Sequence, residues 1–230
     1  MEPSTPFLTL STADPSRMKG FTMVEMLVSL GIITVITAIV LYGQQNFNRS
    51  LVLVDTSYTI AFTIRQAQSL GLSSKRFGNI QNAGYGVHFA STPGTTYTLF
   101  ADSLPSAPGN DQGGKCAGHT ILSGLDSKPG NCVYDSSAEN VTVYTLNKGF
   151  AVASFCGVDT AGTQRCSGSY LDSLDITFLR PNTQASIIGV RAGAIIELVS
   201  ATIHVASPDG AQERCVQVTR VGQVAVGNCP

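Results

Sequence analysis

The chain has no tryptophan, only three histidines and little charge: Asp, Glu, Lys and Arg together make up 13% of its 230 residues. Lys and Arg number 14 and Asp and Glu 15, a formal charge of -1, so no global basic field argues for nucleic acid as a partner. There is no Cys-x-x-Cys pair, and six cysteines with three histidines then point to an oxidising compartment more than to a metal site. A Gly-x-Ser-x-Gly elbow is missing, which removes the commonest nucleophile signature. A phosphate-cradling P-loop is missing too, so ATP-driven work would fall to another protein. No proline occurs between Ser16 and Pro93, and nothing in that interval forces a break in a helix.

What the sequence does contain is one long run without charge, Met26 to Asn48, 23 residues. As a helix it measures about 35 Å, enough to cross a hydrocarbon core. Just ahead of it stands a single acid, Glu25, in Gly20-Phe21-Thr22-Met23-Val24-Glu25. A carboxylate at the edge of such a run costs roughly 2.5–3.5 kcal/mol on insertion scales and normally has a functional partner. Arg17 and Lys19 precede the span, which holds the N-terminus in the cytoplasm and sends the rest outside. Residues before Arg17 are rich in Ser, Thr and Pro and read as unstructured; Met18 offers a second start. An ordinary secretory signal would be cut after its apolar region, but this run is too long for one and Glu25 interrupts its start. A plain single-span anchor fits the length, yet would require neither Gly20 nor Glu25.

Beyond the span, Phe47, Leu51, Val54, Tyr58 and Ala61 recur at helical spacing, and Leu53, Ile60, Ile64 and Ala67 form a second line on another face. Two apolar lines fit either one globular partner or two different ones. The helix is expected to end near Leu70, with Gly71 as a left-handed cap, and from Phe21 would be about 75 Å long. Antiparallel strands follow: Ala83 to Ala90 with Thr95 to Asp102, Val141 to Leu146 with Phe150 to Phe155 around Asn147-Lys148-Gly149, then Ser173 to Leu179, Ser186 to Arg191, Ile195 to Ala206, and Glu213 to Arg220 with Gln223 to Val226. Ser103 to Ser136 is crowded with Gly, Pro, Asn, Asp and Ser and reads as a long excursion. No repeat of solenoid period is present.

The cysteines read best as sequential pairs, Cys116–Cys132, Cys156–Cys166 and Cys215–Cys229. The last two sit symmetrically about Gly222 and face each other if the closing hairpin is unbulged. Loops of this size contribute roughly 3 kcal/mol each when closed. Six cysteines allow fifteen pairings, and the rival is a zinc site built on Cys116, His119 and Cys132. His88 and His204 fall in strand patterns as surface or satisfied core residues. Asp172 and Asp175 could form an acid/base or calcium pair, but neighbouring ligand oxygens are missing, so a solvated strand edge is the reading. No catalytic residue, cofactor or metal is expected.

The segment Met18 to Glu25 resembles the class III leader of type IV pilins and pseudopilins: a short basic leader ending in Gly, then Phe, then Glu as the fifth residue of the mature chain. Leu174 to Pro181, Cys215 to Val224 and Ile64 to Gln68 resemble segments of the GspH/FimT family of minor pilins and pseudopilins. The likeness covers residues 18–102 and 173–229. It implies an α+β pilin-like fold: 1–20 leader, 21–43 hydrophobic membrane and assembly half of a helix, 44–70 its amphipathic half, 71–230 a β-rich extracytoplasmic domain. It also implies cleavage after Gly20 by a prepilin peptidase, N-methylation of Phe21, storage in the inner membrane, and assembly with other subunits in which Glu25 meets the amine of a neighbouring Phe21. Some FimT-like subunits bind DNA through a Gly-Arg-x-Arg element; here the matching residues are Gly222-Gln223-Val224-Ala225, so DNA binding is not carried over. A tip-displayed binding module using Ser103 to Ser136 is the alternative function, and a membrane-anchored enzyme the third.

Overall fold

The computed structural model describes residues 20–73, 75–80, 83–90, 93–103, 130–146, 149–180 and 183–229. They divide into two units, Met1–Gln45 and Asn46–Pro230, with the boundary inside one α-helix, α1 (Met23–Leu72).

In the first unit α1 is solvent-exposed along its apolar run and is long and apolar enough to cross a membrane. Its few hydroxyls do not stay free. Ser29 Oγ donates to the Glu25 carbonyl, Thr34 Oγ1 to Leu30 and Thr37 Oγ1 to Ile33, each at 2.7 Å. Hydroxyls returned to the carbonyl four residues back present less unsatisfied polarity to an apolar medium.

The second unit begins with the rest of α1. Leu53, Ile60, Ile64 and Ala67 are fully buried, the 7-4-3 spacing of one helical face. Ser57 shares that face, and its hydroxyl donates to Leu53 O at 2.8 Å. The opposite face keeps Phe47, Leu51, Tyr58 and Phe62 exposed. Of the two apolar lines, Leu53-Ile60-Ile64-Ala67 is core, whereas the other divides: Phe47, Leu51 and Tyr58 are exposed, Val54 is half-buried and Ala61 is in the core. The helix runs to Leu72, so Gly71 is helical rather than a cap. A Cβ on Gly71 would strike the Phe178 carbonyl, so here glycine permits close approach of helix to sheet.

The strands are β1 (Gly84–Phe89), β2 (Thr96–Asp102), β3 (Asn140–Thr145), β4 (Ala151–Asp159), β5 (Gln164–Cys166), β6 (Ser173–Phe178), β7 (Ala185–Arg191), β8 (Ala194–Ala206), β9 (Glu213–Thr219) and β10 (Val224–Gly227). Every strand pairing is antiparallel. The order is β10-β9-β8-β7-β6-β1-β2-β3, with β4 on β8 and β5 on β4. Tyr85, Val87 and Phe89 of β1, Leu99 of β2, Ile176 and Phe178 of β6 and Ile203 of β8 close one core with the helix face. A long helix plus an antiparallel sheet is the α+β, pilin-like architecture.

Two expected pairings are different in the structure. Residues 141–146 and 150–155 do not form a hairpin: β3 pairs with β2, and β4 pairs with β8 and β5. The two halves differ in character, since Val141 and Val143 are exposed on an edge strand while Val152 and Phe155 are core. In the closing hairpin, Cys215 faces Gly227 instead of Cys229. The turn is centred one residue earlier than Gly222, and Cys229 lies past the last paired residue.

Candidate processing and assembly site

Gly20, Phe21 and Thr22 precede the helix in non-helical backbone, and all three are exposed. Thr22 is its N-cap. Its Oγ1 accepts the Glu25 N–H at 3.2 Å, and its carbonyl accepts the Met26 N–H at 3.1 Å. Thr22-Met23-Val24-Glu25 thus has the Ser/Thr-x-x-Glu spacing of a capping box. The pattern was legible in the sequence and went unread there. Glu25 stands in the first turn, where the partial positive charge of the helix end favours a carboxylate. The geometry gives six residues two properties at once: an accessible, non-helical Gly20–Phe21 bond and an acid in the first helical turn beyond it.

The disulfides lie in the second unit. Cys156–Cys166 joins directly opposed residues of β4 and β5, and Cys215–Cys229 ties the chain end to β9. Cys116 lies outside the described residues, as does His119, so the Cys116–Cys132 pairing and its zinc rival fall there too. So does most of the 103–136 excursion proposed as a tip surface.

Asp175 is not at a solvated edge: it is fully buried, and His88 Nδ1 lies 2.7 Å from its Oδ1. It belongs to β6, between β1 and β7, and its side of the sheet is covered by the returning segment. Tyr134 lies against His88 with ring centroids 4.4 Å apart and the planes tilted by 32°, and Thr177 Oγ1 donates to Cys132 O at 3.1 Å. Asp102 works the same way. Its two oxygens accept the N–H groups of Asn131 (2.8 Å) and Cys132 (2.7 Å). Glu139 accepts from Ser103 N (2.8 Å) and Asp135 N (3.0 Å). Burial pushes the Asp102 and Asp175 carboxyls above the ordinary range, opposed by the donors just named. These carboxylates use their oxygens to pin a loop to a sheet, and among the described residues no three of them converge as metal donors. Sequence reasoning missed Asp102 and Glu139 altogether; no local pattern marks an acid that caps backbone donors distant in sequence.

An open hollow of about 410 Å³ is lined by Asn48, Arg49, Val52, Phe150, Pro208 and Asp209. Its charged pair, Arg49 with Asp209 at 2.6 Å, is on the surface, where such pairs contribute little.

Residues 15–41 match the model of the prokaryotic N-terminal methylation motif. The match spans the capped helix start and most of the apolar run. It supports a type IV pilin-like protein with a class III prepilin leader, for which a prepilin peptidase and other pilin subunits are the implied partners and membrane anchoring the implied state. No curated protein and no solved structure matches the chain.

Proposed function

We propose that the chain is a minor pilin or pseudopilin of the GspH/FimT type, assembled into a type IV pilus or a type II secretion pseudopilus. The observation that carries this is the methylation motif lying on a helix that is capped by Thr22 and has Glu25 in its first turn. Cleavage after Gly20 frees the amine of Phe21, and N-methylation keeps it cationic. In the filament the Glu25 carboxylate meets that amine on a neighbouring subunit, a pair that gains most where water is scarce. The apolar half of α1 gives cohesion between subunits. Phe47, Leu51, Tyr58 and Phe62 support an extension of that contact, because a row of large apolar side chains left exposed marks an interaction face. The domain after residue 71 stands outside the membrane and does no catalysis.

The test is mass spectrometry of the membrane-extracted protein together with Glu25→Ala. The expected result is a mature chain beginning at N-methylated Phe21, and an E25A chain that is processed but fails to enter filaments. An unprocessed N-terminus, or normal incorporation of E25A, contradicts the proposal.

A further inference from the structure

His204, Cys215 and Cys229 bring three metal-ligating side chains to one point on the β8–β9 surface. Their donor atoms all lie within 4.8 Å of one another. The sheet fixes two of the three, since His204 is the cross-strand partner of Cys215; Cys229, two residues past the last paired position, is brought to Cys215 by the disulfide. Glu213, two residues before Cys215 on the same side of β9, places Oε2 3.7 Å from His204 Nδ1. Two sulfurs and an imidazole are donor types of a tetrahedral zinc site, which spaces its ligand atoms about 3.3–3.8 Å apart. With the disulfide closed, both sulfurs are spent on each other. With it open, both are available as thiolate ligands.

We propose that the reduced form of this domain binds one Zn²⁺ through Cys215, Cys229 and His204, with Glu213 beside His204 and water in the fourth position, and that closing the Cys215–Cys229 disulfide expels the metal. Opening the bond takes two electrons and two protons from a dithiol, which leaves as a disulfide, and yields two thiols. Zinc binding then releases those two thiol protons, since the thiolates are the ligands. In the reverse direction a disulfide oxidant accepts two electrons from the thiolates, the S–S bond forms and Zn²⁺ departs. Metal and disulfide are thus alternative clasps for the same chain end, one for each thiol state. Nothing in this depends on filament assembly.

The test uses the full chain in detergent and Co²⁺ as a spectroscopic stand-in for zinc. After reduction with a phosphine, the chain is expected to take up one equivalent of Co²⁺ and show thiolate-to-cobalt charge transfer and the visible bands of tetrahedral coordination. Zn²⁺ should bleach them, and the oxidised chain should show none. His204→Ala is expected to weaken uptake by at least the 10–100-fold that loss of even an outer partner produces, while still re-forming the disulfide on oxidation. Cobalt held by another cysteine pair, or by an unfolded chain, would be indifferent to His204. Equal affinity of the H204A and unmodified chains overturns the proposal, and so does equal uptake by the oxidised chain.

Discussion

Asp102 presents both carboxylate oxygens to adjacent backbone N–H groups, at Asn131 and Cys132. Asparagine has one acceptor oxygen, so Asp102→Asn leaves one buried donor facing an amide, a loss of about 1–3 kcal/mol. The pH dependence has a definite sign. Burial raises the Asp102 carboxyl in the folded state, so its contribution is fully present below about pH 4, its unfolded value, and is lost as pH rises through the raised one. The destabilisation by D102N is therefore expected to be larger near pH 4 than near pH 7, as measured by denaturant unfolding of the two chains. At this scale the sequence was readable where function is local. The methylation motif matched by residues 15–41 is such a local pattern, and Gly20, Phe21 and Glu25 fall inside it. Asp175 did not, because the cover that makes it buried arrives from residues 132–134, more than a strand's length away and in a stretch whose composition reads only as loop.

Helix α1 shows how one element serves two environments. Ile64 is fully buried and Phe62, two positions away, is 70% exposed. Ile64→Ala is expected to cost 2–5 kcal/mol, about the range for truncating a core aliphatic. Phe62→Ser should change stability by no more than about 0.5 kcal/mol. If the exposed row is an assembly face, F62S nonetheless lowers incorporation into filaments, and the comparison of thermal unfolding with filament yield separates the two roles. Gly71→Ala is expected to destabilise by about 1–3 kcal/mol, since the methyl meets the Phe178 backbone with no flexible atom to give way. The 3.6-residue period announced both faces, but not which was core: Leu53 and Leu51 are the same residue type, and only the sheet distinguishes them. The strands of the C-terminal half were legible as alternation. The β3–β4 pairing was misassigned because adjacency in sequence favours a hairpin, whereas the exposed valines of β3 fit an edge beside β2 and the core residues of β4 fit β8.

At the scale of the whole molecule, the chain joins a membrane-length apolar helix to a sheet held by non-local pairs. Strand β8 is the hub: residues 194–198 pair with β7, 198–206 with β4 and 200–206 with β9. Strand β1, the first after the helix, finds one neighbour in β2 and the other in β6, with Val87 opposite Ile176. Synthesis runs in the other sense. When β1 and β2 have emerged, β6 does not yet exist, and β4 must wait for β8 some forty residues later. A chain ending before Ala194 is expected to show no cooperative unfolding transition. The core face of α1 thus stays uncovered through most of the chain's production, and such distant pairings close slowly. The helix that marks the protein for a membrane is finished first, and the sheet that shields its other half is finished last.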